Sequence, residues 1–286
     1  MIFLFITFQR TDTTMKYCAW LMILSFVTFA LNAQLSFPEG KIACRKVKSL
    51  FQEDSTNIMT IQTKSSASDS VSIIFILPVE EQKENQRFGS GIEEVRDLID
   101  SNLIGENVVF VQPEFTRIPW YGDHPADTHI CQEKYLIQII NQVTFSFSNR
   151  KYKIFLLGFS KSGWGCLSVM CNFPQLIDGI FIWDAPLSTG FNKEWGMDQV
   201  FRDKDYFDNY YRLTNRIGNS ADMIRKKTIV IGGYDLFQKQ TKTFLKFMDA
   251  NQIQYHCNPA LKYKHEWNKE WILSLLRDKN GIVHNK

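Results

Sequence analysis

A serine in a tight turn, followed later in the chain by an aspartate and a histidine, is a set of residue types that can carry out acyl transfer. The stretch Lys153-Ile154-Phe155-Leu156-Leu157-Gly158-Phe159-Ser160-Lys161-Ser162-Gly163-Trp164-Gly165 supplies the serine. An apolar strand pattern there runs without a linker into small residues, and a helical pattern begins near Gly163, which is the context of a nucleophile elbow. Such a turn strains its central residue, so the positions two before and two after must be small. Gly158 and Ser162 meet that demand around Ser160, giving G-x-S-x-S where the usual pattern ends in glycine. Ser162 is the competing nucleophile, but Trp164 stands two residues after it, where a sharp turn needs a small side chain.

A serine hydroxyl is a poor nucleophile near neutral pH. It needs a histidine as base, and the imidazole needs a carboxylate to fix its tautomer and stabilise its charged form. Hydrolases built on a strand, turn and helix use the chain order Ser, acid, His, which leaves His256, His265 and His284. His284 lies in a terminal segment and His256 inside a strand pattern, whereas His265 sits in a loop before a helical pattern containing Trp267, Trp271, Ile272 and Leu275. His265 is therefore the expected base. For the acid, Asp184 and Asp235 each follow a strand pattern, where open α/β sheets place their sites. Asp235 is preferred for its position after the later strand; Asp184, before Ala185-Pro186, also reads as a helix cap.

The elements that must position these residues alternate. Val71–Leu77, Asn107–Val111, Lys153–Gly158, Gly179–Trp183, Thr228–Gly232 and Ile253–His256 read as strands within a β-rich region that starts near Asn57. Between them, helical spacing marks Ile92, Val95, Leu98 and Ile99, then Tyr135, Ile137, Ile140 and Val143, then Phe244, Leu245, Phe247 and Met248. The expected fold is α/β, a mostly parallel central sheet with helices on both faces. Two stretches break the alternation as candidate site walls, the polar segment 80–91 and a cap-like insert at about 185–227. The second holds Phe191, Trp195, Phe201, Tyr206, Phe207, Tyr210 and Tyr211, which either line a pocket or pack as ordinary helix residues.

The chain of 286 residues is 44% hydrophobic, 14% aromatic and 22% charged, which excludes disorder. A net charge of +3 gives no case for a nucleic-acid partner. Lys16, the apolar run Cys18–Leu31 and the small-residue end at Ala33 read as a secretory signal over residues 1–33, leaving one domain over 34–286. A secreted or periplasmic location follows, with no stable membrane anchor expected after cleavage. Of six cysteines, Cys18 leaves with the signal, so Cys44, Cys131, Cys166, Cys171 and Cys257 cannot all pair. No CxxC pair is present, and neither a metal nor a cofactor is expected.

Several blocks resemble a known family: Ile76-Leu77-Pro78-Val79-Glu80, Pro119-Trp120-Tyr121-Gly122-Asp123-His124-Pro125, Leu156–Gly165, Trp183-Asp184-Ala185-Pro186-Leu187 and Lys264-His265-Glu266-Trp267 through Trp271. They look like the α/β-hydrolases, and within them the serine esterases related to esterase D and S-formylglutathione hydrolase. The resemblance implies a carboxylic ester hydrolase with Ser160, Asp235 and His265 as its triad, working through an acyl-enzyme. It also implies an oxyanion hole from the N–H of Lys161 and that of Val79 or Glu80; Pro78 has no N–H to offer. The loop lacks the His-Gly pair of many relatives. Trp120 and Tyr121 are expected as substrate-binding walls, with a packed turn as the alternative. The expected substrate is a small-molecule or polysaccharide ester. A silent binding protein of the same fold, or a peptidase or thioesterase with the same triad, stands as the alternative.

Overall fold

A computed structural model describes residues 35–68, 70–82, 86–233, 235–258 and 262–277. The expected signal at 1–33 and His284 lie outside them. Eight strands form one sheet: β1 (Ala43–Val47), β2 (Thr56–Gln62), β3 (Ser70–Leu77), β4 (Val108–Pro113), β5 (Lys151–Phe159), β6 (Gly179–Trp183), β7 (Thr228–Gly232) and β8 (His256–Asn258). Their spatial order is β1-β2-β4-β3-β5-β6-β7-β8; β1 and β2 pair antiparallel, β2 joins β4 antiparallel, and all later pairs are parallel. Central strands such as β6 are buried throughout, as a parallel sheet covered on both faces requires.

The helices are α1 (Gly91–Asp100), α2 (Gln132–Ser146), α3 (Lys161–Asn172), α4 (Asp198–Phe201), α5 (Lys204–Tyr210), α6 (Leu213–Ile224), α7 (Gln238–Ala250) and α8 (Lys269–Leu276). Alternation along the strands divides the core. Ile74, Ile76, Leu157, Phe159, Phe181 and Trp183 pack with Ile92, Val95 and Leu98 of α1 and Trp271, Ile272 and Leu275 of α8. The opposite face meets α3, where a side chain on Gly163 would lie 2.9 Å from Ile182 and 2.8 Å from Ala185.

Several strand bounds shift: β3 begins one residue earlier, at Ser70, and β5 runs from Lys151 to Phe159 rather than from Lys153 to Gly158. The last strand begins at His256 rather than Ile253, because its parallel register with β7 starts at the Val230 and His256 pair. The β4 strand extends to Pro113, which sits opposite Ile58 at the strand's end. Within 185–227, Phe201, Phe207 and Tyr211 are buried, and Phe201 and Phe207 lie 5.9 and 6.0 Å from the ring of Trp164 on α3. These three rings are thus packing, while Phe191, Trp195 and Tyr206 are half-buried and Tyr210 is exposed. It is also pinned electrostatically: Arg216 of α6 donates to Glu133 of α2 at 2.7 Å and to the carbonyl and hydroxyl oxygens of Ser168 on α3, each at 3.0 Å. Both charges are nearly buried, so neither survives well alone. Arg216→Ala is expected to lose roughly 3–5 kcal/mol of stability, read as a lower urea midpoint with an unchanged slope.

Candidate active site

Sheet register sets the geography. Phe159 at the end of β5 pairs with Trp183 at the end of β6, and Trp183 pairs with Gly232 at the end of β7. Ser160 and Asp184 are therefore the first residues beyond two adjacent strands and leave the sheet side by side at its C-terminal edge. Ser160 sits at φ 53°, ψ −128°, a conformation that L-residues resist, at the junction of β5 with α3. Its N–H donates to the Trp183 carbonyl at 2.9 Å, and its carbonyl accepts from Gly163 at 3.0 Å. A side chain at Gly158 would lie 2.4 Å from the Ser162 carbonyl oxygen, so the close approach admits only glycine. Ser162 is wholly buried, accepts from the Phe159 N–H at 2.9 Å and donates to the Phe159 carbonyl at 2.8 Å. It fastens the turn and is sequestered from any substrate.

His265 Nε2 lies 3.1 Å from Ser160 Oγ, and its Nδ1 lies 2.7 Å from Asp184 Oδ2. With Nδ1 protonated toward the carboxylate, Nε2 is left as the acceptor facing the hydroxyl. The loop that presents His265 is fixed behind it. Trp267 N–H donates to the Phe88 carbonyl at 2.9 Å, and Trp271 Nε1 donates to the Glu266 carbonyl at 2.9 Å. Asn268 caps α8 by accepting from Glu270 N–H, while Lys269 N–H donates to Glu94 of α1 at 2.9 Å. Phe159, Phe237 and Phe88 surround the imidazole, with ring centroids 4.5, 5.5 and 5.9 Å away. Phe88 and Phe237 are not singled out by any motif.

The acid beside His265 is Asp184, not the expected Asp235. The physical reason lies in the turn after β7. Gly233 has φ 82° and approaches so closely that a side chain there would lie 2.6 Å from Asp184 N. The turn then aims the N–H groups of Leu236 and Phe237 at Asp184 Oδ2 and Oδ1, each at 3.1 Å, and leaves Asp235 exposed. Burial pushes the Asp184 carboxyl up, but the hydrogen bond from His265 and the two N–H groups outweigh it and hold it below its ordinary value.

Trp120 and Tyr121, expected as substrate walls, are buried instead. Trp120 Nε1 donates to the Trp195 carbonyl at 2.8 Å, and its ring lies between Trp164 and Trp195. Both residues' N–H groups donate to Gln132 Oε1, at 2.8 and 3.0 Å. Of the rings around His265, Phe88 and Phe237 are half-buried, and the half-buried Trp195 lies 6.0 Å beyond Phe237. Lys161, Val79 and Glu80, expected as oxyanion donors, lie on two segments that end near the same sheet edge. Lys161 opens α3 at the positive end of its dipole. Leu77 pairs in register with Gly158, so Val79 and Glu80 leave β3 level with the serine turn. Glu80 Oε2 accepts from Phe88 N–H at 3.3 Å. His256, the rejected base, borders a separate hollow of about 390 Å³ at the β8 edge with Cys257, Ser274 and Arg277.

No protein-family model and no curated protein matches the sequence. Solved structures do match the fold. Mycobacterium tuberculosis MPT51 is similar at TM-score 0.64 and 9% identity, over 85% of this chain and 99% of its own. An S-formylglutathione hydrolase from Agrobacterium tumefaciens is similar at TM-score 0.60 and 13% identity, over 85% and 94%. FphF, a fluorophosphonate-binding serine hydrolase of Staphylococcus aureus, gives 0.60 and 9%, over 82% and 96%. The fold is that of the α/β-hydrolases.

A depressed carboxyl stabilises the folded state above its unfolded pKa, and that contribution is lost as pH falls through the folded value. Asp184→Asn is therefore expected to narrow its stability deficit against the unsubstituted protein as the pH drops from about 5 towards 2. Urea unfolding across that range checks this; a deficit independent of pH would contradict the assignment.

Proposed function

We propose that the protein is a serine hydrolase acting on carboxylic esters, with Ser160 as nucleophile, His265 as general base and acid, and Asp184 as the orienting carboxylate. The observation that carries this is the unbroken line from Ser160 Oγ through the His265 ring to Asp184, with both contacts within hydrogen-bond reach. The fold neighbours, among them hydrolases and a ferulic acid esterase, support it.

In this reading, the Ser160 hydroxyl attacks the ester carbonyl carbon while its proton passes to His265 Nε2. A C–O bond forms, and the carbonyl becomes a tetrahedral oxyanion held by the N–H of Lys161, at the positive end of α3, and the N–H of Val79, beyond the end of β3. The oxyanion collapses, the bond to the alkoxy oxygen breaks, and Nε2 returns the proton to the departing alcohol. Water then repeats the sequence: it gives a proton to Nε2, attacks the acyl-enzyme, and Ser160 leaves with that proton as the acid is released. Asp184 keeps the ring turned throughout and stabilises its charged form without itself taking up the proton. Trp195 and Phe237, half-buried beside the site, supply an apolar wall suited to an aromatic or acyl group. With the leader expected at residues 1–33, the substrate is a small-molecule or polysaccharide ester outside the cytoplasm.

Ser160→Ala is expected to abolish both fluorophosphonate labelling and hydrolysis of short-chain and aryl esters; persistent labelling would overturn the reading. Asp184→Asn is expected to lower kcat by roughly 10³- to 10⁴-fold, while Asp235→Asn leaves it within about twofold, since the Asp235 side chain is exposed and the carboxylate bonded to His265 belongs to Asp184. Steady-state kinetics on one aryl ester separates the two aspartates.

A further inference from the structure

Tyr121 is spent in an unusual way. It is a fully buried tyrosine in the left-handed region, at φ 50°. Its ring lies against α3 so tightly that a side chain at Gly165 would come within 2.2 Å of it, and Phe115 meets it edge-on at 5.3 Å. Such packing needs only a ring. The hydroxyl acts separately and donates to the Pro78 carbonyl at 2.5 Å, across 43 residues of sequence. Burial, and secondarily the Cys166 thiol, push the phenol well above its usual pKa, so it remains a donor at any working pH.

Pro78 lies one residue beyond β3 and is followed by Val79. In a trans peptide the C=O and the following N–H point in opposite directions. Holding the Pro78 carbonyl toward Tyr121 therefore turns the Val79 N–H the other way. The register of Leu77 with Gly158 keeps this peptide level with the turn that carries Ser160. The loop lacks glycine between Leu77 and Phe88, so the orientation does not come from a glycine turn. Pro78 itself restricts the backbone but has no N–H with which to anchor the loop.

We propose that Tyr121 is a positioning residue for the oxyanion hole, its hydroxyl fixing the Pro78–Val79 peptide so that the Val79 N–H is presented to the developing negative charge. This rests on the esterase reading above. Its signature is kinetic, because an N–H aimed at a tetrahedral oxygen acts on the transition state more than on the bound ester.

Tyr121→Phe keeps the ring and removes the donor. With active sites titrated by fluorophosphonate, kcat is expected to fall about 10- to 100-fold, short of the loss of a whole donor, with KM changed less than about twofold. Affinity for a boronic acid that forms a tetrahedral adduct on Ser160 should fall in parallel. Incorporating 4-aminophenylalanine at position 121 restores a donor and should recover most of kcat. If Tyr121→Phe does not fold, 4-fluorophenylalanine at that position fills the hydroxyl's space without donating and makes the same comparison. An unchanged kcat, or equal changes in kcat and KM without weakened boronate binding, would overturn the proposal. Absence of labelling and turnover in the unsubstituted protein would instead overturn the esterase reading itself.

Discussion

The buried carboxylate of Asp184 is the constraint around which the C-terminal edge of the sheet is organised. A carboxylate removed from water is costly unless its oxygens are met by donors. Here His265 Nδ1 and the Leu236 N–H meet Oδ2, and the Phe237 N–H meets Oδ1. Satisfying it dictates the turn after β7, with its left-handed Gly233, and dictates where the loop before α8 must bring its histidine. The strand ends converge because one anion needs donors from separate chain segments.

The segments behind the site form a second ring of support. Trp183 stacks on Trp271 at 5.4 Å with planes 7° apart, and Trp271 stacks on Trp267 at 5.3 Å, so the strand leading to Asp184 and the segment carrying His265 share one aromatic column. On the opposite face, the buried pair of Arg216 and Glu133 ties the helices of 185–227 to α2 and α3. The turn that carries Ser160 lies between these two supports, anchored by β5 on one side and by α3 on the other.

Much of this is legible in the residues alone. The strands at Gly179–Trp183 and Thr228–Gly232 match their apolar runs residue for residue, because fully buried parallel strands are continuous apolar stretches with sharp ends. Ser160 and His265 are identifiable from the strand, turn and helix pattern and from chain order. β1 is not, since its alternating exposed residues Cys44 and Lys46 give an edge strand little apolar signal. Asp184 and Asp235 cannot be separated by pattern because both follow a strand. What decides between them is a backbone turn that seats two N–H groups on one carboxylate, and no residue type encodes that. Trp120 and Tyr121 look alike in sequence whether they face a substrate or a neighbouring helix. Their burial depends on Gln132 and Gly165, which belong to other elements.

The hydroxyl of Ser162 closes both polar groups of Phe159 within the turn that carries Ser160. A glycine at that position would leave those groups to other partners and would give the denatured chain additional backbone freedom to surrender on folding. Serine there acts as an internal staple: the socket that holds the Ser160 hydroxyl is rigidified by a neighbouring side chain, so the steric demand of this turn is met without a glycine two residues past Ser160.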